Sequence, residues 1–147
     1  MKELAAALRT KVQRTVVHFR TLREAEISAG RAPGKWSKKE VLGHLIDSAA
    51  NNHQRFVRAQ FGDPFSWPGY EQESWVSVHR YRERPWVELV DIWSALNYQV
   101  AAVVEGVATD KLQTACMIGG SEAVSLEWLI RDYVRHMEHH LEQLEGA

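Results

Sequence analysis

Cysteine is nearly missing from this chain. Cys116 stands alone, so no internal disulfide can form and a reducing, cytoplasmic setting is expected. Neither charge is in excess: Lys plus Arg number 18 against 19 Asp plus Glu, which leaves no electrostatic footprint for nucleic acid or an anionic membrane. Long hydrophobic runs are lacking too. No stretch approaches the roughly 18 uncharged apolar residues of a membrane span. The start, MKELAAALRTKVQRTV, is interrupted by charges where a secretory signal needs a continuous apolar core, so no leader is expected. Repeats, low-complexity tracts and linkers do not occur.

What is present is the composition of an ordinary globular protein. At 147 residues, 45 % apolar and 25 % charged, residues 1–147 are expected to form a single domain able to bury about two thirds of its unfolded surface. Six tryptophans are more than this length needs. Some are expected to line a cleft or an interface, with large core residues as the plainer alternative.

Apolar residues recur with helical spacing in four stretches. From Lys2 to about Ser28, Leu4, Leu8, Val12, Val16, Phe19, Leu22 and Ile27 trace one face of a long amphipathic helix, broken by Ala29-Gly30 and Pro33-Gly34. His18 within it reads as structural. Ser37 followed by Glu40 is a capping box, and Trp36 can staple onto Val41, which makes the start of the second helix the best-specified boundary in the chain. Its apolar arc runs through Val41, Leu42, Leu45, Ala49 and Phe56. His44 lies beside that arc, with Ser48, Asn51 and Arg55 a turn or more along. Asn52 points at the arc's centre, where a buried amide must find partners or cost about 1–3 kcal/mol. This polar edge reads equally as the wall of a pocket or as a few interhelical hydrogen bonds.

Regularity lapses from Phe61 to Arg84. This aromatic connection, with Trp67, Tyr70 and Trp75, is too long for a tight bundle turn and too aromatic for disorder, so it is expected to pack over the bundle. Pro85 is placed to open a third helix, running to about Val107. Thr109 to Val124 forms a second connection with an extended or turn segment at Gly119-Gly120. Ser125 can cap the last helix.

That last helix, LEWLIRDYVRHMEHHLEQL, carries Leu126, Leu129, Ile130, Tyr133, Met137, Leu141 and Leu144 on one face. At about 100° per residue, His136 and His140 fall at the edge of that face, and His139 falls on the wet side. An inward pair at i and i+4 can put two imidazole nitrogens on one metal ion; alternatively each is a hydrogen-bonded core residue. A third ligand can be tested by length. His44 lies about 10 Å from the start of its helix, and the His136–His140 midpoint about 10 Å from the end of the last. The three come level only if the second and fourth helices are antiparallel. That requires the second and third to run the same way, joined by a connection long enough to climb back, and the Phe61–Arg84 loop is long enough.

These motifs also carry a resemblance. W-S-x-K-E-V-L-G-H-L-I-D-S at Trp36 to Ser48, Y-E-Q-x-x-W at Tyr70 to Trp75, and H-x-x-H-H-L-E-Q at His136 to Gln143 resemble the DinB/YfiT-like superfamily across nearly the whole chain. The resemblance implies an all-α, four-helix bundle of up-down-down-up topology with a long crossover between helices two and three. It also implies a homodimer, and a divalent metal held by His44, His136 and His140. Relatives include thiol-dependent transferases and isomerases, and proteins described as metal-dependent hydrolases.

Three neutral imidazoles leave a coordination position open, as in catalytic rather than structural zinc sites. Zinc, nickel and ferrous iron all accept imidazole. Such an ion can acidify a water, polarise a carbonyl or hold a low-molecular-weight thiol as thiolate. Asp47, Glu71, Asp132 and Gln143 are candidates to orient the ring nitrogens, with ordinary surface or interhelical contacts as the alternative for each. Asn51, Arg55, Tyr70 and Trp75 are candidates to bind an anionic or polar group of a small-molecule substrate. Cys116 reads as a bystander. Two classes of function follow: a metal-dependent enzyme of thiol-transferase or hydrolase type, or a non-catalytic bundle with a structural or vestigial metal that binds small molecules or assembles dimers.

Overall fold

The computed structural model describes residues 1–28 and 32–145; the Ala29-Gly30 break lies outside them. Four long helices form the bundle: α1 (Lys2–Phe19), α3 (Lys38–Arg58), α5 (Trp86–Gly106) and α6 (Leu126–Glu145). Between them lie α2 (Glu24–Ser28), β1 (Phe65–Trp67), α4 (Gln72–His79), β2 (Ala115–Ile118) and β3 (Val124–Ser125), with 3-10 turns at Tyr81–Glu83 and Thr109–Gln113. No helix among the described residues is long and apolar enough to cross a membrane.

The first helix is shorter than its apolar pattern predicts, ending at Phe19. Thr21 Oγ1 donates to the His18 carbonyl at 2.7 Å, a local bond that competes with continuing the helix. Glu26 then accepts from the Arg23 backbone N–H at 2.9 Å and opens the separate turn of α2. The second boundary is as expected. Ser37 and Glu40 complete the capping box, with the Ser37 N–H donating to Glu40 Oε2 at 2.7 Å. The Phe61–Arg84 stretch is more regular than its sequence suggests, holding β1, α4 and a 3-10 turn.

Contacts along the helices fix their directions. Arg9 pairs with Glu105 at 2.7 Å while Trp86 Nε1 donates to the Phe19 carbonyl at 2.8 Å, so α1 and α5 are antiparallel. Lys38 Nζ donates to the Leu144 carbonyl, and the Phe56 and Tyr133 rings meet at 5.8 Å, so α3 and α6 are antiparallel as well. Arg82, just before α5, reaches Glu40 near the start of α3 at 3.0 Å. Helices α3 and α5 therefore begin at the same end and run parallel, giving the up-down-down-up order. The chain from Arg58 to Trp86 climbs the length of α3 to achieve this.

At the foot of that climb β1 pairs in parallel with β2, Phe65 opposite Cys116, and β2 pairs antiparallel with β3. This small sheet, an addition to the purely helical reading, ties the two long connections together. At the top, Tyr81 lies flat against α3. A Cβ on Gly43 would stand 2.0 Å from the Tyr81 ring, so the backbone needs glycine here for close approach. The core between the bundle helices is filled by Leu8, Phe19, Leu42, Leu45, Phe56, Leu89, Trp93, Ile130, Met137 and Leu141, all under 3 % exposed. Its main polar insertion is satisfied: Tyr133 Oη donates to Asn97 Oδ1 at 2.6 Å, and Asn97 Nδ2 donates to the Trp93 carbonyl at 2.9 Å.

Gly43→Ala is expected to destabilise the protein by about 1–3 kcal/mol through overpacking against Tyr81. A urea midpoint unchanged from wild type would show that Tyr81 does not hold this position in solution.

Candidate metal centre

The capping box fixes where α3 begins, and His44 follows seven residues beyond Ser37. Lys38, only 5 % exposed, ties the first turn of α3 to the last carbonyls of α6, where a cation also complements the helix dipole. Those two constraints bring His44 level with His136 and His140. The His44 Nε2 stands 3.2 Å from the His136 Nε2. Ring centroids lie 5.1 Å apart for His44–His136, 4.9 Å for His44–His140 and 4.6 Å for His136–His140, and all three pairs are steeply inclined edge to face. One nitrogen from each residue lies within 4.8 Å of the other two. Tetrahedral zinc with Zn–N bonds near 2.0–2.1 Å separates its ligand nitrogens by roughly 3.3 Å. The His44–His136 pair already meets that spacing.

The donor chemistry fits a divalent ion as well. Burial pushes the His44 imidazole down to about 4, with repulsion from His140 and His136 adding to the effect. Burial also lowers His136, against a smaller pull upward from Asp132. Both rings are therefore neutral near pH 7, the form that offers a lone pair to a metal. His44 Nδ1 is buried with no hydrogen-bond partner in the protein. A buried polar atom left in this way marks a site with a purpose beyond packing.

The expected supporting residues divide. Gln143 Oε1 lies 3.3 Å from His140 Nδ1, while Gln143 Nε2 lies 2.9 Å from His139 Nε2. Asp132 is half-buried one turn before His136 and pairs with Arg135. Asp47 makes its contacts away from the three histidines. It accepts from Tyr81 Oη at 2.6 Å and sits 3.2 Å from His79 Nδ1. Both contacts belong to the crossover, so Asp47 is turned towards that segment instead of α6. Its carboxyl is raised by burial, in part offset by the Tyr81 bond and the nearby His79. Glu71 is exposed at the start of α4 and makes no capping bond.

Beside the histidines lies a cavity of about 250 Å³. Ser48, Asn52 and Arg55 of α3 form one wall, and Leu129, Asp132, Tyr133 and His136 of α6 another. Gly69, Tyr70 and Gln72 of the crossover border it. Of the expected substrate-binding residues, Arg55 and Tyr70 line this space and Asn51 and Trp75 do not. Asn51 Nδ2 is spent on the Asp47 carbonyl at 2.9 Å. Trp75 lies outside, its ring tilted against that of Tyr70 at 5.1 Å and 37 % exposed. Asn52 takes the place given to Asn51, its Nδ2 held by the Ser48 carbonyl at 2.9 Å. Burial, and then the Asp47 charge, raises the Tyr70 hydroxyl. Cys116 is fully buried, and desolvation and then Asp63 push its thiol up to about 11, so it is inert. Tyr81, Tyr133 and Gln72 were not singled out by sequence. Gly43, an isolated glycine in a helical pattern, was the available signal for Tyr81.

The sequence profile of the DinB superfamily matches residues 7–144, and the chain belongs to that superfamily. It is similar to a protein named "Putative metal-dependent hydrolase" from Oceanobacillus iheyensis, 20 % identical over 127 residues, covering 86 % of this chain and 73 % of that one. A protein of the same name from Geobacillus thermodenitrificans is 24 % identical over 98 % of this chain and 82 % of its own length. In three dimensions the fold matches YfiT from Bacillus subtilis with a TM-score of 0.84 at 17 % identity, covering 99 % of this chain and 84 % of that one. YfiT is described as "a probable metal-dependent hydrolase with an unusual four-helix bundle topology".

Because His44 is held near pKa 4 when folded and near 6.5 when unfolded, the unfolded chain binds more protons between those values. Stability of the metal-free protein is therefore expected to fall as pH drops from about 6.5 towards 4. In a His44→Leu variant the same titration, followed by thermal midpoint, should be flatter; an equal slope would show that this ring is not buried neutral.

Proposed function

We propose that this protein is a metal-dependent enzyme acting on a small molecule, with His44, His136 and His140 holding one divalent ion. The observation that carries this reading is the position of His136. It belongs both to the imidazole cluster and to the wall of the adjoining cavity, so a molecule filling the cavity abuts the cluster. A structural site would be closed by a fourth protein ligand, and among the described residues no further His, Cys, Asp or Glu joins the group.

The names of the curated relatives favour hydrolysis. A bound ion would supply Lewis acidity, lowering the pKa of a water or thiol or polarising a carbonyl. The protein's own part is to keep His44 and His136 neutral, to orient His140 through Gln143, and to seat the substrate between α3, α6 and the crossover. Transfer of a low-molecular-weight thiol to an electrophile is the second reading, resting on the family resemblance; a homodimer in the cytoplasm belongs to the same proposal.

Protein purified without an affinity tag is expected to hold one equivalent of zinc, nickel or iron by elemental analysis, and a His44→Ala, His136→Ala double variant none. Gln143→Ala should weaken metal binding about 10–100-fold, as loss of an outer partner does elsewhere. Release of acid from a panel of esters and amides, without added thiol, would establish the hydrolase; turnover only when thiol and electrophile are both supplied would establish the transferase. A metal-free protein whose stability is indifferent to the double variant would overturn both.

A further inference from the structure

The cavity wall carries a cation, the Arg55 guanidinium. Among the described residues Arg55 takes part in no ion pair. Its Nη1 reaches Asn52 Oδ1 at only 3.4 Å, its guanidinium lies 5.9 Å from the centre of the Tyr70 ring, and its buried Nε has no hydrogen-bond partner. Removing a guanidinium from water is costly unless an anion replaces the lost hydration. The Tyr70 face supports the guanidinium, while the planar fork of N–H donors matches a carboxylate in two-point contact.

We propose that Arg55 anchors the carboxylate end of a monoanionic substrate, whose reacting group reaches the histidine cluster at the other end of the cavity. Charge decides between a carboxylate and a phosphate. No lysine lines the space, and Asp132 stands in the opposite wall with its charge shared with Arg135. One guanidinium facing one carboxylate side chain suits a single negative charge and disfavours a dianion. Length decides the shape. Arg55 follows His44 by eleven residues on α3, about 16 Å of helix rise. Long side chains on a helix lean towards its N-terminus, so Arg55 reaches back along the cavity towards the histidines. The substrate is thus an elongated acid whose reacting group lies several bonds from its carboxylate.

Placing the reacting group rests on the metal-centre reading, but the carboxylate subsite can be tested without it. Hexanoate and its neutral isostere hexanamide are titrated into protein stripped of metal with EDTA, and binding is followed by calorimetry and by the Arg55 Nε–H resonance. Hexanoate is expected to bind at least about tenfold more tightly than hexanamide, as a charge-assisted pair requires. Arg55→Gln should reduce hexanoate affinity about tenfold or more. Asn52→Asp sets a carboxylate against the guanidinium from within; it should weaken hexanoate similarly while raising the thermal midpoint. Equal binding of acid and amide, no binding of either, or hexanoate affinity unchanged in Asn52→Asp would overturn the inference. A protein that takes up no metal yet keeps the acid preference would sink only the metal reading; stoichiometric metal without that preference would sink only this one.

Discussion

The register between α3 and α6 governs everything else in this molecule. Three imidazoles drawn from two helices meet only if those helices run in opposite directions and are aligned to within about a turn. Two features impose that alignment: the capping box that fixes where α3 starts, and the buried Lys38 ammonium donating to Leu144 at the last turn of α6. The consequences pass outward. With α3 and α6 antiparallel, α5 must run alongside α3, and the chain must travel the whole length of the bundle between them.

That journey is what turns a helical core into a site. A two-residue turn after α3 would leave the cluster facing solvent or its neighbour helix. The crossover instead lays Gly69, Tyr70 and Gln72 along the space between α3 and α6, bordering a cleft beside His136. Burial also sets the electrostatics. Removing water keeps His44 and His136 neutral, while Arg55 stays half-buried. Burial thereby leaves the imidazoles in the form that can hold a metal ion.

Most of this was legible in the sequence because it rests on periodicity and on local rules. The helix of His136 and His140 is marked by spacing, the α3 start by capping chemistry, and the parallel α3–α5 pair by a length argument from three histidines and one long loop. What escaped was rotation about a helix axis and anything decided by nonlocal packing. Asn51 and Asn52 differ by about 100°, and only the packed structure says which enters the cavity. The partner of Asp47 was hidden for the same reason, since Tyr81 is 34 residues away in sequence. The early end of α1 turns on the Thr21 hydroxyl bonding the His18 carbonyl, a choice that apolar spacing does not record.

The crossover is fastened at both extremities, by the strand pair at Phe65–Cys116 below and by Tyr81 seated on Gly43 above. Between these rivets it behaves as an interchangeable cover. Selectivity can drift by altering the residues around Tyr70 while the imidazole-bearing rods and their spacing stay untouched. A lineage built this way can diversify what it accepts without rebuilding what it does.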